Sequence, residues 1–93
     1  MKYLEGLRKA SLHAINCLAY GSAYSILDLG LAYMYPQGLP NKKAHALWEA
    51  RCSLNMCLAC TDSSIGIKDP DGYWTMHMDE AVKTLKEAKD IHD

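Results

Sequence analysis

From Ala10 to Asn41 the chain carries one formal charge, Asp28, in 32 residues; the flanking segments hold the other twenty of its ten basic and eleven acidic side chains. Solvated helices and strands normally carry charge on their outer face, so a run this bare has to be covered by something: the rest of the fold, a second copy of the chain, or a ligand. A membrane is the poorer cover. A spanning helix needs roughly 20 nearly uninterrupted apolar residues. The best window, Ala14 to Ala32, includes Asn16, Gly21, Ser22, Ser25 and Asp28, and the carboxylate alone is a heavy cost at mid-bilayer. The expectation is a buried helical segment with no membrane partner.

Periodicity supports helices along most of the 93 residues. Leu4, Leu7, Ser11, Leu12, Ile15, Leu18 and Ala19 recur at three- and four-residue steps, as do Ala23, Ile26, Leu27, Gly30, Leu31 and Met34. Gly21 is the candidate bend between the two segments and Ser22 the candidate N-cap of the second; one continuous helix over 2–35 is the alternative. Pro36-Gln-Gly-Leu-Pro40 is the strongest punctuation, and Asn41 reads as the N-cap of a helix running to about Thr61. A further helical turn is expected near Ile65. A final helix from Thr75 or Met76 shows an apolar stripe of Met78, Ala81, Val82, Leu85 and Ala88. Nothing alternates as a half-buried strand does, and the chain contains no Phe. The reading is an all-α bundle of three to four helices, one domain over 1–93, its last two helices forming a helical hairpin. The stretch from Asp79 to Ala88 resembles the second helix of a tetratricopeptide unit, though no 34-residue period accompanies it.

The net charge of −1 hides a split. Residues 1–61 hold six basic and three acidic side chains; residues 62–93 hold four lysines and eight acids. The asymmetry either steers an anion or a neighbouring chain, or reflects two ordinary solvated helix faces. Four cysteines are too few for a disulfide scaffold, and Glu5, Arg8 and Lys9 interrupt any signal-like apolar core, so a cytoplasmic chain with reduced thiols is expected.

Catalytic signatures are missing from the sequence: no nucleophile elbow, no phosphate loop, no paired carboxylates. An enzyme is therefore not expected, and no cofactor is implied. Cys52, Cys57 and Cys60 match the first three ligands of a plant-type iron–sulfur spacing, but within a helical pattern. With Cys17 and His45 or His77 they compose an alternative zinc or redox site; buried hydrophobic thiols are the plainer account. Asp69, Asp71 and Glu80 fail as a calcium loop, because Tyr73 and Trp74 stand where a ligand and a glycine belong. Asp28 is expected at the surface, capping a helix, or facing a basic partner.

Binding chemistry is better represented. Tyr20 and Tyr24 sit one helical turn apart, and Tyr3 lies upstream. Tyrosine offers stacking area with a polar tip, suited to a nucleobase or a helix interface. Arg8, Lys9, Lys42, Lys43 and Arg51 provide charge for a small anionic nucleotide; ten basic residues against eleven acids make no stripe for duplex nucleic acid.

Tyr3-Leu-Glu-Gly-Leu-Arg-Lys-Ala and Leu39-Pro-Asn-Lys-Lys-Ala-His-Ala-Leu-Trp-Glu-Ala resemble two helix segments of the phage-encoded anti-CBASS sponges, small proteins that sequester cyclic oligonucleotide signals. The resemblance implies a homo-oligomer with nucleotide pockets shared between subunits, and Arg8 as the foremost phosphate contact. Two functions are expected on these grounds. The first is non-enzymatic sequestration of a cyclic nucleotide signal in phage counter-defence. The alternative is a protein–protein inhibitor or adaptor that docks on a target protein with no small ligand.

Overall fold

Helix follows helix through the computed structural model, which describes residues 2–62, 66–67, 69 and 71–92. Helix α1 spans Lys2–Asn16, α2 Tyr20–Met34, α3 Lys42–Ala59 and α4 Tyr73–Glu87, the last continued by a 3-10 turn, Ala88–Asp90. Between α3 and α4 the strands Thr61–Asp62 (β1) and Gly66–Ile67 (β2) pair antiparallel. The all-α bundle expected from periodicity is thus observed, with this two-residue ladder its one addition. The turn expected near Ile65 lies outside the described residues.

The break between the first two helices falls at Cys17–Ala19, not at Gly21. Leu18 is left-handed, with φ 62°. Its N–H donates to the Ile15 carbonyl (2.9 Å) and the Ala19 N–H to the Ala14 carbonyl (2.8 Å). That is a Schellman ending, usually built on glycine, and a leucine in its place disguised it. Ser22 is not the cap of α2; Ala19 occupies that position without a side-chain bond. Asn41 does cap α3, its side chain accepting from the Ala44 N–H at 2.8 Å. Helix α4 begins at Tyr73, earlier than its apolar stripe suggested. Asp69 accepts from the Trp74 N–H (2.8 Å) and from the Thr75 hydroxyl (2.6 Å), satisfying donors in the first turn. These bonds hold its carboxyl below the ordinary range, the Thr75 bond foremost.

Leu4, Leu27, Leu31, Leu47, Leu54 and Leu85 fill the core, with Ala44, Ala50, Ala81 and Ala88 between them. Leucine supplies the apolar volume that phenylalanine would otherwise bring, about 2 kcal/mol for each fully buried side chain. Alanines let the helix axes approach. Helices α3 and α4 pack most extensively, giving the expected hairpin, while α2 lies against both α1 and α3. At Gly30 the helices α1 and α2 pack tightly: a Cβ there would stand 2.5 Å from the Leu7 side chain, and the Tyr3 hydroxyl donates to the Gly30 carbonyl at 2.8 Å. Among the described residues, no helix is long and apolar enough to cross a membrane.

Candidate functional site

The segment between α2 and α3 turns tightly. Tyr35 closes α2 through its N–H to the Leu31 carbonyl, and the Gly38 N–H returns to the Tyr35 carbonyl. Gly38 has φ 125°, a conformation that side chains disfavour. Pro36 and Pro40 stiffen the segment on either side. An open cavity of about 510 Å³ results, lined by Leu31, Ala32, Tyr35, Pro36, Gly38, Leu39 and Trp48. Its size falls within the range of ligand sites, and none of these lining side chains is charged.

Trp48 is held from behind. The Arg51 guanidinium lies 4.4 Å from the Trp48 ring centroid and 4.9 Å from that of Tyr24. It donates to the Tyr24 hydroxyl at 2.8 Å and, through Nε, to Asp28 at 3.0 Å. Cation–π contact of this kind contributes on the order of 0.5–2 kcal/mol. Asp28 therefore meets a basic partner, half-buried, as the third of its expected settings. The charge of Arg51 is balanced by Asp28, and the cluster presents the cavity with a fixed indole wall.

The other residues singled out from sequence lie elsewhere. Arg8 and Lys43 are 6% and 4% exposed and both pair with Glu5. Arg8 donates to it at 2.9 and 3.0 Å, and reaches the Leu85 carbonyl near the end of α4 at 3.5 Å. Hydrogen bonds from Arg8 first, then Lys43, hold the Glu5 carboxyl at about 2, against an ordinary 4.5. Arg8, which the sponge resemblance implied as a phosphate contact, is thus enclosed in a structural ion pair. Lys43 sits in the first turn of α3, where the helix dipole disfavours a cation and Glu5 compensates. Tyr20 meets Trp74 edge-on, centroids 5.1 Å apart. Lys9 and Lys42 are exposed. Only Tyr24 and Arg51 of the eight candidates come together beside the cavity, and none of the eight is among its described lining residues.

The thiols do not converge. Cys57 is buried and Cys17 and Cys52 are exposed, and no cluster of three metal-ligating groups exists among the described residues. Burial foremost, with Cys60 nearby, pushes the Cys57 thiol up to about 11, which suits a core hydrophobe. Cys17 Sγ does lie 3.6 Å from His13 Nε2, a pair at i, i+4 that the histidine spacings alone did not reveal. It stands exposed at the end of α1. Trp48 and the Pro36–Leu39 turn, which line this cavity, are not among the residues singled out from sequence; an aromatic seven residues past an N-cap, after a proline-flanked turn, was the available signal. No protein-family model, curated protein or solved structure matches the chain.

Proposed function

We propose that the chain is a non-enzymatic binding protein acting by stoichiometric capture, and that it docks on a target protein by accepting an apolar side chain into the cavity between Trp48 and the Pro36–Leu39 turn. The observation that carries this reading is the lining: seven residues without a charge around about 510 Å³. A phosphate-bearing ligand would need cations at that wall, and Arg51 is balanced by Asp28 while Arg8 and Lys43 are enclosed on Glu5. Inhibition or adaptor activity follows from occupancy alone and needs no chemistry at the cavity. Sequestration of a nucleotide, as the sponge resemblance implies, draws support from the Tyr24–Arg51–Trp48 group and takes second place.

Panning a displayed random-peptide library against the folded protein tests the two together. Peptides with a Leu, Phe or Trp anchor should enrich, alter Trp fluorescence on binding, and lose at least about tenfold in affinity, roughly 1.4 kcal/mol, against Leu39→Glu of unchanged circular dichroism. No enrichment, or micromolar binding of a cyclic dinucleotide that Arg51→Ala abolishes, refutes the protein-docking reading.

A further inference from the structure

Helix α1 ends on a pair of soft donors. His13 and Cys17 are four residues apart, so they share one face of the helix, and both are exposed. The turn that carries them is fixed. The Cys17 N–H donates to the His13 carbonyl at 3.0 Å, and the bonds from Leu18 and Ala19 back to Ile15 and Ala14 lock the helix end behind it. Cys17 Sγ then stands 3.6 Å from His13 Nε2.

We propose that His13 and Cys17 form a two-point binding site for Zn²⁺. Zinc takes thiolate sulfur at about 2.3 Å and imidazole nitrogen at about 2.0–2.1 Å in a tetrahedron. Two such ligands on one ion stand about 3.5–3.6 Å apart at the tetrahedral angle, which is the separation this pair already has. A reactive cysteine is the other use of a thiol beside an imidazole, and the position in the helix argues against it. The carbonyl end of a helix carries the negative pole, which disfavours a free thiolate and favours a cation. A zinc ion satisfies that field, because it neutralises the thiolate and leaves net positive charge at the helix end. Thiolate and imidazole also select zinc over magnesium or calcium, which take oxygen ligands.

Binding is a proton exchange. The Cys17 thiol gives its proton to water as the sulfur–zinc bond forms, and the neutral His13 ring contributes the Nε2 lone pair. No electron changes hands, and water fills the two remaining positions. Structural zinc sites use four protein ligands and bind far more tightly; two ligands on a preorganised turn place this one in the micromolar range. Lys9 lies one turn before His13 on the same face, and its charge weakens binding further at low salt. The site is separate from Cys52, Cys57 and Cys60 and from the cavity beside Trp48.

Cobalt titration of the reduced chain reads the site, because Co²⁺ takes the place of zinc and a thiolate ligand gives it a charge-transfer band in the near ultraviolet. One equivalent per chain should bind in the micromolar range and be displaced by Zn²⁺. His13→Ala should weaken binding at least tenfold, Cys17→Ser should abolish the band, and Cys52→Ser should change neither. All three side chains are exposed, and circular dichroism checks that each variant keeps the fold. Zn²⁺ should also slow iodoacetamide alkylation of Cys17 at least tenfold, read by peptide mass, while Cys52 reacts at its unprotected rate. A band that survives Cys17→Ser, affinity unchanged by His13→Ala, or protection of Cys52 in place of Cys17 overturns the proposal. So does the absence of any band at millimolar cobalt.

Discussion

Replacing Glu5 by Gln removes a carboxylate that pairs with two enclosed cations, Arg8 and Lys43. In the native chain the Glu5 carboxyl titrates at about 2, against an ordinary 4.5. Each tenfold change in acidity corresponds to about 1.4 kcal/mol, so the full preference for the ionised form is about 3.4 kcal/mol. The Glu5 side chain is 30% exposed, and solvent screening lowers the usable part to about 2 kcal/mol. Breaking an enclosed pair from one side adds to the cost, because Arg8 and Lys43 stay buried without the Glu5 charge. For a domain of this size, 2 kcal/mol lowers Tm by about 8–16 °C. The folded-state value is depressed, so the contribution is complete above pH 4.5 and disappears as pH falls toward about 2. Urea unfolding followed by circular dichroism, for wild type and Glu5→Gln, should show the gap of about 2 kcal/mol at pH 7 narrowing below pH 4.5 and closing near pH 2. A gap below about 0.5 kcal/mol at pH 7, within the usual effect of a surface substitution, refutes the ion-pair argument. So does a gap that keeps one value across this range.

Leu18→Gly should stabilise the fold by about 0.5–1 kcal/mol, since relief of a left-handed leucine exceeds the added freedom of the unfolded chain; thermal unfolding checks it, and a lower Tm would mean that Leu18 contributes packing despite its exposure. Ellman's reagent at pH 8 should label Cys17 and Cys52 in a fast phase and reach Cys57 only on unfolding, because Cys57 is buried and its thiol stands at about 11. Labelling of Cys57 at the rate of the exposed thiols would contradict its place in the core.

Elements with a local cause were legible in the sequence. Asn41 after Pro40 announced a helix start because the capping amide and its target N–H are three residues apart. The stripes of α1, α3 and α4 were visible because one face of each meets the core. Where the local cause wore an unusual residue, it was missed: Leu18 took a glycine's place, and the break moved from Gly21 to Cys17–Ala19. Asp69, dismissed with a calcium loop, proved to hold the first turn of α4 through Trp74 and Thr75.

Periodicity by itself determined that the Ala10–Asn41 run is helical; the cover that its lack of charge called for is found only in part, at Ser11, Ala14, Ile15, Ala23, Leu27 and Leu31. Neither composition nor periodicity could decide how the charges outside and inside that run would pair. Glu5 meets Lys43 and Asp28 meets Arg51 only because α3 docks beside α1 and α2, and pairings between distant segments leave no mark on local spacing. The tertiary structure thereby turned Arg8 and Lys43 from ligand contacts into structural ion pairs. It placed Trp48 opposite the turn after α2, and it left the outer face of that helix without a cover. Burial energy depends on which surfaces meet, and that is settled by packing, after the helices already exist.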